Sequence, residues 1–121
     1  MKLGVELYTT DLAKAEEFYG GVLGFEIIED NRSGKVPYLG FARGQARIGV
    51  ARSWKPLDNV DHTPPLAPEL VLYVEDLEAE VERFRTAHWP LFEEIKVRPW
   101  GATDFRVKDP DGHLLRITTS D

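Results

Sequence analysis

Apolar and polar residues alternate from the first positions of the chain. Leu3, Val5 and Leu7 are interleaved with Lys2, Gly4 and Glu6, which is the period of a strand with one face on a core. Thr9–Asp11 then offers hydroxyl and carboxylate caps for a helix. The period changes there: Leu12, Ala15, Phe18, Tyr19, Val22 and Leu23 fall on one helical stripe. Gly20, Gly21 and Gly24 weaken and then end that helix, because glycine tolerates the left-handed cap. "FEIIE" (25–29) reads as a second strand and "DNRSGK" as a polar loop. "PYLGFA" (37–42) and "ARIGVAR" (46–52) read as the two arms of a hairpin.

The stretch from Ser53 to Pro68 holds four prolines and no sustained period, which marks a linker. After it the order starts again. Glu69–Val74 reads as a strand with Leu70, Leu72 and Val74 on one face, and Asp76 caps a helix whose stripe is Leu77, Val81 and Phe84. "LFEEIKV" (91–97), "ATDFRVK" (102–108) and "HLLRITT" (113–119) are three further strands. Between the last two, Asp109-Pro110-Asp111-Gly112 is a turn in which proline presets the bend and glycine takes the positive-φ exit. Two short segments mark the repetition: "LYTTDL" at 7–12 and "LYVEDL" at 72–77 share four of six letters at identical spacing. Each half therefore reads strand–helix–strand–strand–strand, with module one over 1–52, a linker over 53–68 and module two over 69–121 of one domain.

Composition narrows the function classes. The 121 residues suffice for a core that removes about two-thirds of the chain's surface from water. The absence of cysteine excludes a thiol nucleophile, a disulfide framework and a cysteine metal site. No long apolar run or signal-peptide core is present, so a cytoplasmic protein without membrane partners is expected. A net charge of −6 argues against nucleic acid as a partner, since phosphate binding needs a basic face. The same sign suits a cationic ligand.

With this element order in place, "TTDLAKAEEFYGGVLGFE" (9–26) and "PWGATDFRVKDPDGHLLRI" (99–117) resemble the vicinal oxygen chelate superfamily of glyoxalases, bleomycin-resistance proteins and extradiol dioxygenases. The first segment resembles that superfamily's Asp-Leu-x-x-Ala-x-x-Phe-Tyr helix, the second its closing hairpin. Both motifs serve the scaffold and identify a fold rather than a reaction. The resemblance implies an α+β fold of two βαβββ modules, curled mixed sheets around a cleft, and a homodimer.

In metal-dependent members the cation sits on cavity-facing residues of the first and fourth strands of the modules. A catalytic site needs at least three protein ligands. The corresponding positions fall on Gly4, on the stretch Ile48–Ala51, on Glu69 and on Arg116. Only Glu69 can ligate, and arginine is a permanent cation. The expectation is no metal and no cofactor, with Arg116 and Glu69 forming an ion pair instead. His62, His88 and His113 do not supply the missing ligands; His113 belongs to the closing turn.

What remains is a cavity without metal chemistry. Trp54 and Trp100 lie next to strand ends, where they either stack on a planar ligand or pack. Trp89 is expected under the second helix. Tyr38 and Phe41 are weaker ligand candidates, because one of the two faces the helix layer. Glu6, Glu69 and Arg116 are charged cavity candidates, while Arg47 and Arg106 read as solvated or structural. No nucleophile–base set, phosphate loop or nucleotide fingerprint is present. The resemblance then implies a metal-independent protein of the bleomycin-resistance type that binds a small, partly aromatic drug or metabolite. The alternatives are a lyase, isomerase or dioxygenase with an atypical metal site, a metal-free catalyst using Glu69 as base, and an accessory domain acting on a protein partner.

Overall fold

A computed structural model describes residues 1–58 and 60–119. The chain divides into two compact units, residues 1–60 and 61–121, and the division falls inside the proline-rich stretch.

In the first unit, β1 (Gly4–Thr9) leads into α1 (Leu12–Ala15), which widens into a π-helical stretch over Glu16–Val22. β2 (Glu26–Asp30), β3 (Tyr38–Arg43) and β4 (Ala46–Arg52) follow. The sheet order is β1-β4-β3-β2, with β1 parallel to β4 and the other pairs antiparallel. Asp11 stands at the helix start in extended backbone, and its Oδ1 accepts from the amides of Ala13 (3.0 Å) and Lys14 (3.2 Å). That satisfies donors that have no partner inside a first turn. The widening is visible in the amide of Leu23, which reaches the carbonyl of Phe18 five residues back. Gly24, at φ 77°, then turns the chain into β2. The helical stripe read from the sequence is buried: Leu12, Ala15, Phe18, Tyr19, Val22 and Leu23 cover Leu39, Phe41, Ile48 and Val50 of the sheet. The rings of Tyr19 and Phe41 lie 5.7 Å apart. Burying side chains of this size contributes about 1.5–3 kcal/mol each.

The second unit repeats the plan. β5 (Leu70–Val74), α2 (Leu77–Thr86), β6 (Glu93–Val97), β7 (Thr103–Lys108) and β8 (Leu114–Thr119) form a sheet ordered β5-β8-β7-β6, again with only its first pair parallel. Asp76 caps α2 as Asp11 caps α1, accepting from the amide of Ala79 at 3.0 Å. Val81 and Phe84 are fully buried against Phe105, Val107, Leu115 and Ile117, and Phe84 meets Phe105 edge-on at 5.7 Å. His88, at φ 55°, takes the left-handed position after the helix. The Trp89 indole, half-buried, donates to the Lys108 carbonyl at 2.9 Å. In the closing turn the Gly112 amide donates to the Asp109 carbonyl, and Gly112 is at φ 91°. His113 belongs to this turn, with Nδ1 2.8 Å from Asp109 Oδ2.

Among the described residues, the eight strands and two helical regions lie within a residue or two of where the hydrophobic periods place them. No helix among the described residues is long and apolar enough to cross a membrane.

Candidate functional site

Strand register places corresponding residues of the two units in corresponding rows across their sheets. In the first unit the row from β2 to β1 is Glu29, Gly40, Gly49, Glu6. In the second unit the row from β6 to β5 is Glu93, Arg106, Arg116, Val71. Both rows lie on the sheet face away from the helix. Where one sheet carries two glycines flanked by two glutamates, the other carries two arginines flanked by a glutamate and a valine.

The glycine pair opens a solvent-facing cavity of about 200 Å³. Glu6, Glu29, Tyr38, Arg47 and the two glycines line it, together with neighbouring strand residues. Gly49 is needed for its shape. A Cβ there would lie 2.5 Å from Glu6 Oε2 and closer still to the Tyr38 hydroxyl, displacing both. At Gly40 a Cβ would press on Glu29 Cβ at 3.2 Å. Glycine inside a strand weakens the strand and lets another group approach the backbone. A one-residue bulge between Ile27 and Glu29 resets the β2–β3 register, so that Glu29 stands opposite Gly40.

Charge in this cavity is mostly negative. The Tyr38 hydroxyl donates to Glu6 Oε1 over 3.4 Å, and Glu29 has no ion-pair partner among the described residues. Burial, reinforced by the charges of Glu6 and Glu29, raises the Tyr38 pKa. The phenol therefore stays a neutral donor in a field that disfavours anions. The one cation in the lining, Arg47, turns its Nη1 to the carbonyls of Gly44 (2.8 Å) and Ala46 (3.0 Å) at the hairpin end.

The same face of the second unit is filled. Arg106 Nε donates to Glu69 Oε1 at 2.7 Å, and its Nη1 pairs closely with Glu93 Oε1. Arg98 joins Glu93 (3.0 Å) to Asp104 (2.7 Å). Arg116 stands looser, with Nε 3.5 Å from Glu69 and Nη1 3.6 Å from Asp104. Asp104 is fully buried, and its Oδ2 accepts no hydrogen bond; Arg116 Nε likewise donates none. The hydrogen bond from Arg106, with help from Arg98, pulls the Glu93 pKa down to about 2. Hydrogen bonding to Glu69 raises that of Arg106.

The residues singled out from the sequence sort as follows. Glu6 and Tyr38 come together in the first cavity. Phe41 does not turn its ring there: it is fully buried against Tyr19, because residues three apart on a strand face opposite ways. Its place on β3 nevertheless borders the cavity. Trp54 is 76% exposed and meets Tyr8 edge-on at 5.6 Å, outside the lining. Trp100 is 64% exposed at the tip of the β6–β7 hairpin, where Gly101 at φ 97° closes the turn. Glu69 and Arg116 are near one another, but the hydrogen-bonded partner of Glu69 is Arg106. The pair expected from the sequence is one edge of a larger network.

This donor set does not fit a divalent cation. Gly4 has no side chain, and Glu69, Glu93 and Asp104 each already face a guanidinium. Among the described residues no three histidine or acidic side chains group to hold a metal ion.

Comparison with known proteins agrees with the fold. The family model of the Glyoxalase/Bleomycin resistance protein/Dioxygenase superfamily matches residues 4–117. TioX from Micromonospora sp. ML1 is similar at 22% identity and a TM-score of 0.79, with 98% of each chain covered. A bleomycin resistance determinant encoded on the transposon Tn5 is similar at 21% identity and a TM-score of 0.77, covering 100% of this chain and 98% of that one. Lactoylglutathione lyase from Agrobacterium tumefaciens is similar at 21% identity and a TM-score of 0.74, covering 99% and 93%. No curated protein matches the chain.

Proposed function

Since the chain belongs to the glyoxalase/bleomycin resistance/dioxygenase superfamily, we propose that it is a metal-independent binding protein for a small, partly aromatic, cationic molecule, seated in the cavity of the first unit. The observation that carries this reading is the open face over Gly40 and Gly49 with Glu6, Glu29 and Tyr38 around it. Two carboxylates and a neutral phenol attract a cation, and a glycine floor lets a flat group lie against the backbone. The binding step needs no bond to be made or broken.

Titration of intrinsic fluorescence with a panel of small aromatic amines, amidines and neutral aromatics tests it. Trp54, beside Tyr8 on the same unit, serves as reporter. Saturable change without turnover is expected, at equal strength before and after treatment with a chelator, and lost in Gly49→Ala. Binding that requires added zinc, nickel, manganese or iron, or product formed from any compound, overturns the reading.

A further inference from the structure

The second unit carries a cation of its own at the place the first leaves open. Glu29 and Glu93 occupy the same row of their sheets, one opposite Gly40 and the other opposite Arg106. In the second unit Glu93 is held by the guanidinium of Arg106 across the strand pair, and by that of Arg98 at 3.0 Å. In the first unit the residue in Arg106's place has no side chain, and Glu29 is left without an ion pair among the described residues.

We infer that the cavity of the first unit selects a planar, forked cation, a guanidinium or amidinium, which takes the place that Arg106 fills in the second unit. The inference rests on the binding reading above and specifies its ligand. A guanidinium or amidinium presents parallel N–H groups that match a carboxylate edge, and it is less strongly hydrated than an ammonium. It therefore loses less on entering a partly buried site. Three features of the lining suit such a group. Glu29 offers the carboxylate that its counterpart Glu93 offers to Arg106. Glu6, where the second unit has Val71, adds a second carboxylate, and Tyr38 edges the same space. Arg47 is the opposing charge, and its contacts with Gly44 and Ala46 hold part of it at the hairpin end.

Isothermal titration with three probes of one size separates the possibilities: benzamidine, its neutral isostere benzamide, and the ammonium benzylamine. Benzamidine is expected to bind about tenfold more tightly than benzylamine, with no saturable binding of benzamide. Glu29→Gln should weaken benzamidine by about tenfold while leaving the fold intact. Gly40→Arg should restore an internal guanidinium and abolish binding, with an unfolding midpoint equal to or above that of the parent. Equal affinity for benzylamine and benzamidine, or a Glu29→Gln variant that binds benzamidine unchanged, overturns the inference and leaves the binding reading standing. If neither these probes nor any compound of the wider panel binds, the binding reading falls and takes the inference with it. Should Gly40→Arg fail to fold, the Glu29→Gln comparison still decides.

Discussion

The two sheets share strand order, register and helix cap, yet their open faces are built by opposite means. The first unit's row is Glu29, Gly40, Gly49, Glu6, with a cavity above it; the second unit's is Glu93, Arg106, Arg116, Val71, filled by its own ion network. On the helix side the units agree in chemistry. Phe18, Tyr19 and Phe41 pack in one, Phe84 and Phe105 in the other, all at most 1% exposed. The core side must exclude water to hold the fold, so its residues stay apolar. The other side carries no such demand and is where the units differ.

The largest expected effects test the shared side. Phe41→Ala and Phe105→Ala should each lose about 3–5 kcal/mol in urea unfolding, since each leaves a cavity under a helix. A loss in one unit much smaller than in the other would show that the cores are not equivalent. Next comes the filled face. Arg106→Ala leaves Glu69 and Glu93 without their closest cation and should cost about 3 kcal/mol. Adding Glu93→Ala should recover part of that loss, because the stranded charge goes with it; strictly additive losses would mean that the two side chains are not coupled. Arg116→Ala should cost less than Arg106→Ala, since Arg106 still holds Glu69 and Arg98 still holds Asp104.

Acid titration separates the faces more finely. Glu93 has its pKa lowered from an ordinary 4.5 to about 2. In the unfolded chain it takes up a proton near 4.5, whereas in the folded chain it resists until about 2. Its contribution to stability is therefore complete above pH 4.5 and is lost as pH falls from there toward 2. Unfolding midpoints measured across that window should fall less steeply in Glu93→Gln than in the parent. Parallel curves would place the acid sensitivity elsewhere. The smallest effect on stability belongs to the open face: Gly49→Ala pushes only on the ends of the Tyr38 and Glu6 side chains. It should change stability by less than about 1 kcal/mol while removing ligand binding. A large loss of stability would mean that Gly49 serves the sheet and not the cavity.

Much of the fold could be read from the chain because its periods are clean. The repeated Leu-Tyr-x-x-Asp-Leu places an aspartate cap and a first core leucine in both units, and the caps form as read. The positions three residues before those leucines, Gly4 and Glu69, led to the face that matters. The candidate residues were legible less evenly. Glu6 follows from the alternation of β1, but Glu29 does not, since regular alternation would set Ile28 opposite Gly40. Only the bulge in β2 brings the glutamate there. Gly40 and Gly49 carry a usable sign, two glycines inside otherwise apolar strands, but only strand pairing puts them side by side. Trp54 and Trp100 drew notice by size, yet side-chain volume does not tell which way a loop residue points.

The sequence by itself determined the elements, their order and the duplication, because caps, turns and hydrophobic periods act over a few residues. Tertiary structure alone decided which side chains share a row across four strands. Register is a long-range property, set by how each strand's apolar face meets its helix and by a register shift in the outer strand pair of each sheet. That register separates an arginine that closes one sheet from a glycine that leaves the other open.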